Sequence, residues 1–207
     1  MRKLLILVGL LLLTASFTLA QDFPKVETSP AFMFIHTPID IQGDKRALNC
    51  VGGGGTLAYN FTSVLGIAAD LGGCKFIGQT FPVLSSKVNG NAFTYVFGPR
   101  FTYRNHSAFT PFGEINFGGT RLSFTCTNQN ESEFCVGNPT YSKNAFAMTV
   151  GGGFDVKINN KISLRPIQAE YLLTRFGNDC TAGQCFNFGN QNSFRLKSGI
   201  VIAWGGK

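Results

Sequence analysis

Six cysteines and two histidines are the residues of this sequence whose types can support redox, metal or nucleophilic chemistry. The cysteines are Cys50, Cys74, Cys126, Cys135, Cys180 and Cys185; the histidines are His36 and His106. No Cys-x-x-Cys pair occurs and neither His lies among the cysteines, so tetrahedral zinc ligation is not implied. An even cysteine count in an exported chain points instead to disulfides. Neither His has a Ser and a carboxylate at a readable spacing, so no catalytic residue is assigned. The glycine runs at 52–55 and 151–153 lack the Lys-Ser/Thr of a phosphate loop. Neither a cofactor nor a metal is expected.

The remaining chemistry lies in ten charges: Asp70, Arg100, Arg104, Glu114, Asp155, Lys157, Arg165, Glu170, Arg195 and Lys197. Each stands in a stretch that alternates with period two, the period of a β-strand. Eight such stretches are predicted, near 31–37, 47–60, 64–74, 92–104, 110–124, 144–158, 162–174 and 192–204. No stretch after residue 20 has a helical apolar stripe. In 144–158, Phe146, Met148, Val150, Phe154, Val156 and Ile158 share one face; Ala145, Ala147, Thr149, Gly151, Gly153, Asp155 and Lys157 share the other. The strand at 92–104 sets Phe93, Tyr95, Phe97, Phe101 and Tyr103 against Thr94, Gly98, Arg100, Thr102 and Arg104. Large apolar residues therefore crowd one face, and small or charged residues the other.

A soluble barrel needs apolar side chains inside. Here the small and charged face fits a narrow lumen, and the bulky face needs an apolar solvent. A transmembrane barrel meets both demands, because a closed ladder satisfies every backbone group within lipid. The ten charges are expected to form a lumen network that plugs the barrel. Four acids against six bases leave two positive charges over, which keeps a narrow, anion-favouring pore as the alternative. Two local irregularities are anticipated. The outward phase of 162–174 slips at Pro166, and a bulge there would keep Arg165, Gln168 and Glu170 inside. Phe112 and Leu122 fall on the polar face without explanation.

Composition agrees. Of 207 residues only 14 % are charged, against roughly 25 % in soluble domains, while 44 % are hydrophobic. That excludes a disordered chain. Arg2 and Lys3 precede an apolar run, Leu4–Leu13, that ends in small residues before Gln21. Residues 1–20 read as a secretory leader, too short to span a bilayer. Removing twenty of 207 residues leaves 187, and losing Arg2 and Lys3 lowers the formal charge from +7 to +5. With no Lys/Arg run, nucleic acid is not an expected partner. The expected organisation is a leader over 1–20, a short periplasmic segment over 21–30 and a barrel over 31–207.

Connection lengths alternate. Phe61–Ser63, Asn105–Phe109 and Asn159–Lys161 are short, whereas about 75–91, 125–143 and 175–191 are long. Short periplasmic turns and longer external loops are the outer-membrane pattern. Cys50 and Cys74 lie symmetrically about the hairpin near residue 62. Cys126 and Cys135 share one long connection, and Cys180 and Cys185 share another. The expected pairing is 50–74, 126–135 and 180–185, all at one end of the barrel.

The segments GGGGTLAYNFTSVLGIAADLGG, FGPRFTYR, PFGEINFGGTRL, NAFAMTVGGGFDVKI, RPIQAEYLLTRF and QNSFRLKSGIVIAW resemble the OmpA-like outer-membrane β-barrel proteins of Gram-negative bacteria, over essentially the whole mature chain. The barrel-only form is expected, since the sequence ends just past the last strand. The resemblance implies eight antiparallel strands in an up-and-down barrel, both termini in the periplasm, and folding by the outer-membrane assembly machinery. In that family the assembly signal sits in a last strand ending in an aromatic. Phe194 to Trp204 fits, with Gly205-Gly206-Lys207 beyond it. The expected partners are outer-membrane lipids, the assembly machinery and an extracellular ligand of the loops. The expected role is non-enzymatic: envelope integrity and surface contact through disulfide-stapled loops. A rim lipid-modifying enzyme using His36 is a further alternative.

Overall fold

The computed structural model describes residues 23–41, 44–76, 79–81, 86–105, 107–127, 140–181, 184–187 and 190–205. Eight long strands form the wall. They are β1 (Val26–Ile41), β2 (Asp44–Asn60), β3 (Leu65–Phe76), β4 (Ser86–Thr102), β5 (Phe109–Thr127), β6 (Thr140–Lys157), β7 (Ile162–Arg175) and β8 (Asn190–Trp204). Each pairs antiparallel with its chain neighbours, and β1 pairs with β8 through Phe34 and Leu196, which closes the barrel. Closure leaves no edge, so the backbone can enter lipid. The expected leader lies outside the described residues. The barrel begins at Val26, so residues 26–30, expected as a periplasmic segment, are wall.

Alternation is regular on most strands. On β3 exposed and buried positions alternate from Leu65 to Cys74, apart from half-buried Gly73. The exposed set is apolar and bulky: Leu57, Leu71, Phe93, Phe97, Phe101, Phe117, Phe146, Tyr171 and Ile200 face outward, with Phe97 62 % exposed. Near the short turns this surface ends in Tyr59, Tyr103, Phe109 and Trp204. On β7 the outward set runs from Ile162 to Leu173. At ~3.3 Å per residue and a tilt of ~40°, that is a band about 28 Å high, close to the ~25 Å apolar band of membrane barrels.

Side chains close the short turns. Thr62 Oγ1 accepts from the amides of Val64 and Leu65, and Asn159 Oδ1 accepts from those of Lys161 and Ile162. Asn105 Oδ1 accepts from the Ser107 amide in the third. Each side-chain acceptor replaces a partner that the turn removes from the ladder. At the other end, Gln79–Phe81 continues the β3–β4 hairpin by pairing with Ser86–Val88, and Asn178–Thr181 pairs with Gln184–Asn187.

The bulge expected at Pro166 is present. Phe154 opposes Ile167, but Val156 opposes Leu164, so β7 holds one extra residue at Arg165–Pro166. The same slip occurs against β8, between Lys197–Gln168 and Gly199–Arg165. Proline has no N–H to give the ladder, so the extra residue falls where a donor is missing. Pro166 and Ile167 both face outward, and Arg165, Gln168 and Glu170 face inward. Strand crowding sets one glycine position: a side chain at Gly151 would collide with the Ala169 carbonyl and the Glu170 backbone of β7. Outside, the Tyr95 ring lies across Gly119, its direct cross-strand partner.

Candidate functional site

Among the described residues the strands bring many polar side chains together in the lumen, which divides into two halves. Toward the short turns it is ionic. Inward positions on β1, β4, β5, β6 and β7 supply Glu27, Arg100, Glu114, Asp155 and Arg165, and Arg104 reaches in from just beyond β4. Arg165 grips Asp155 in a fork, Nε to Oδ1 at 2.7 Å and Nη2 to Oδ2 at 3.0 Å. Arg100 lies 3.4 Å from Asp155, 3.6 Å from Glu27 and 3.7 Å from Glu114. Arg104 donates to Glu27 at 2.6 Å and to the Ser63 carbonyl at 2.7 Å. Asn116 donates to Glu114 at 3.0 Å.

A second group sits one layer further in. Arg195 Nε donates to Glu170 at 2.6 Å, and its Nη1 lies 3.0 Å from Asp70. Lys197 donates to Asp70 at 2.6 Å and lies 3.4 Å from Glu170. Thr56 also donates to Asp70, at 2.7 Å. Gln168 joins the two groups: its Oε1 accepts from Arg165 at 2.9 Å and its Nε2 donates to Glu170 at 3.0 Å. Hydrogen bonds between ionised groups are among the strong ones, and the Arg165–Asp155 fork adds a fixed geometry.

Phe112 lies within this ionic layer, with the guanidinium carbons of Arg100 and Arg165 each 4.2 Å from its ring centroid. The negative face of an aromatic ring attracts a guanidinium, so the ring helps to hold both arginines. That accounts for an aromatic residue on the inward face of β5.

Toward the loops apolar side chains gather, among buried hydroxyls such as Thr37 with Ser193 and Thr94 with Thr120. Met33, Ile35, Cys50, Cys74, Ala92, Val96, Ala147 and Leu172 form one buried cluster, with Phe76 and Leu122 packed against it. Leu122, like Phe112, thus has an inward-facing role. Cys50 and Cys74 are disulfide-bonded, with their Cα atoms 5.5 Å apart. The register sets Cys50 opposite Phe76 and Cys74 opposite Gly52, so the bridge is diagonal. It is buried in the wall of the plug rather than tying an external loop at the rim. The other two expected bridges concern side chains outside the described ones, although the backbone sets Cys180 opposite Cys185.

Nine of the ten expected lumen charges lie in the network, with Arg104 half-buried at its edge. Lys157 does not: it is the last residue of β6, exposed where the barrel opens to water. Glu27, which the reading from residue 31 onward missed, takes its place; the alternation of Glu27, Ser29, Ala31 and Met33 against Val26, Thr28 and Phe32 marks it. The network then holds the acids Glu27, Asp70, Glu114, Asp155 and Glu170 and the bases Arg100, Arg104, Arg165, Arg195 and Lys197. Five charges of each sign cancel, so the expected surplus of two positives is absent from it. His36 lies on the outer face, its Nδ1 2.8 Å from Asn49 Oδ1. His106 is outside the described residues.

Several solved structures superpose on this chain. The crystal structure of Neisserial surface protein A superposes with a TM-score of 0.57 at 12 % identity, covering 86 % of this chain and 97 % of that one. Ail of Yersinia pestis, in complex with a heparin analogue, gives 0.49 at 14 % identity, covering 86 % and 99 %. OprG of Pseudomonas aeruginosa gives 0.47 at 11 % identity, covering 88 % and 97 %. No curated protein sequence matches the chain. A family model, the outer membrane protein beta-barrel domain, matches residues 5–196. Its span takes in nearly the whole of this closed eight-stranded wall, and the chain belongs to that family of outer-membrane β-barrel proteins.

Proposed function

We propose that this protein is a non-enzymatic, non-conducting barrel of the outer membrane whose role is envelope integrity and surface contact. The neutral, interlocked lumen is the observation that carries the reading. An ion passing through would have to part buried pairs such as Arg195–Glu170 or Arg165–Asp155. Breaking one buried pair costs about 3–5 kcal/mol. It would then meet the Met33–Ile35–Leu172 plug, where apolar side chains pack among threonine and serine hydroxyls. The interior supports a filled cylinder, as expected for eight strands.

In this reading residues 1–20 are a cleaved leader, both termini lie in the periplasm, and the assembly machinery engages β8. The long connections face outward and make the contacts. Loops closed by disulfides lose less freedom on binding, which suits a contact surface.

Planar-bilayer recording tests the closed lumen. The purified barrel is expected to give no steady unitary current. Stable openings that change selectivity in Arg100→Glu would overturn the reading in favour of a narrow pore.

A further inference from the structure

Every carboxylate whose side chain is described is buried in the lumen: Glu27, Asp70, Glu114, Asp155 and Glu170. The described outer wall therefore carries charge of one sign. Its exposed cations stand at the two ends. Lys157 and Lys161 lie by the short turns, Lys75, Arg121 and Arg175 at the loop-side end, and the apolar band fills the space between them.

At the loop-side end the cations recur on alternate strands. Lys75 of β3 opposes Asn91 of β4, Arg121 of β5 opposes Asn144 of β6, and Arg175 of β7 opposes Asn190 of β8. Arg121 and Arg175 flank β6 at the same offset at which Lys75 and Arg121 flank β4, and they are the pair in which both cations are guanidiniums. Two strand spacings of ~4.8 Å and one outward step of ~7 Å separate their backbones by about 12 Å. Two arginine side chains span that gap onto a single anion, and exposed Asn144 lies between them as a further donor. Arg121 Nη2 lies 3.4 Å from Ser142 Oγ, at the long end of a hydrogen bond. Phe93 opposes Arg121 and Phe146 opposes Arg175 in the register, so the apolar band begins beside both residues.

We propose that Arg121, Asn144 and Arg175 form a binding site for the anionic phosphate headgroup of a membrane lipid, whose acyl chains lie along Phe146 and the wall below it. Guanidinium is the side chain best shaped to grip phosphate through two parallel N–H donors. The proposal needs only that the barrel spans a bilayer. It depends neither on which end faces out nor on a closed lumen, so its failure leaves the proposed function standing.

The test is native mass spectrometry of the folded barrel released from detergent micelles containing dioleoyl phosphatidic acid or dioleoyl phosphatidylcholine. The wild type is expected to hold phosphatidic acid at least fivefold more tightly. Arg121→Gln with Arg175→Gln removes that margin, whereas Lys157→Gln with Lys161→Gln, at the opposite rim, preserves it. Heat-modifiable gel migration checks that each variant is folded. A margin absent from the wild type, surviving in the arginine variant or lost in the lysine variant overturns the site. Displacement of the lipid by equimolar inorganic phosphate overturns its assignment to a lipid.

Discussion

The short-turn half of the lumen is filled by ten charged side chains, and the loop-side half by apolar side chains, one disulfide and interleaved hydroxyls such as Thr94 and Thr120. Both halves lie within the same eight strands, but they fail differently. In the ionic half most charges face two or more of opposite sign, and deleting one strands its partners in a poorly solvated interior. In the apolar half contacts are many, weak and non-directional, and a lost methyl group leaves only a small void. An interior of mixed construction is therefore brittle toward charge at one end and tolerant of shape at the other.

Arg195→Leu tests the brittle half most severely. It removes the guanidinium shared by Asp70 and Glu170 and leaves Lys197 alone with both. A loss of about 3–5 kcal/mol is expected. Urea unfolding of the variant from lipid vesicles, followed by the fluorescence of Trp204, measures it; a midpoint within error of the wild type would mean that the ionic layer is not interdependent.

The apolar half has a covalent element, and Cys50→Ala with Cys74→Ala isolates it. The two cysteines are 24 residues apart in sequence. Closing a loop of that length constrains the unfolded chain by about 3 kcal/mol in the chain-entropy account. The same unfolding assay should show a loss of that order or somewhat less, with the folded barrel and its gel migration retained. Failure to fold at all would make the bridge a requirement of assembly rather than a brace.

Lys157→Gln is the smallest of these effects and the sharpest test of where the network ends. An exposed residue outside the ion pairs should change stability by no more than about 0.5 kcal/mol. A loss as large as that of Arg195→Leu would place Lys157 in the lumen after all.

The wall was legible because a strand has a period of two and a membrane barrel turns that period inside out. Phe93, Tyr95 and Phe97 could face only one solvent together. Pro166 could be read because a missing N–H and a slipped phase coincide at one residue. Glu27 escaped because β1 begins at Val26, before its Phe-rich core, in a stretch with little apolar contrast. Lys157 was misplaced because alternation gives the direction of a side chain but not the height at which the lumen ends. Phe112 could not be explained from one strand, since the two arginines that enclose it come from β4 and β7.

The order of residues along the chain thus determined which face of each strand meets hydrocarbon, since that depends on local alternation alone. It also placed the short turns, where Asn105 and Asn159 supply the acceptors. Only the closed structure decided which inward charges meet, because that depends on strand tilt and stagger around the barrel. Those set Arg195 of β8 beside Asp70 of β3, carried Glu27 into the network and left Lys157 at the mouth. The balance of five acids and five bases follows from them, because electrostatic neutrality belongs to a volume and no single strand encloses one.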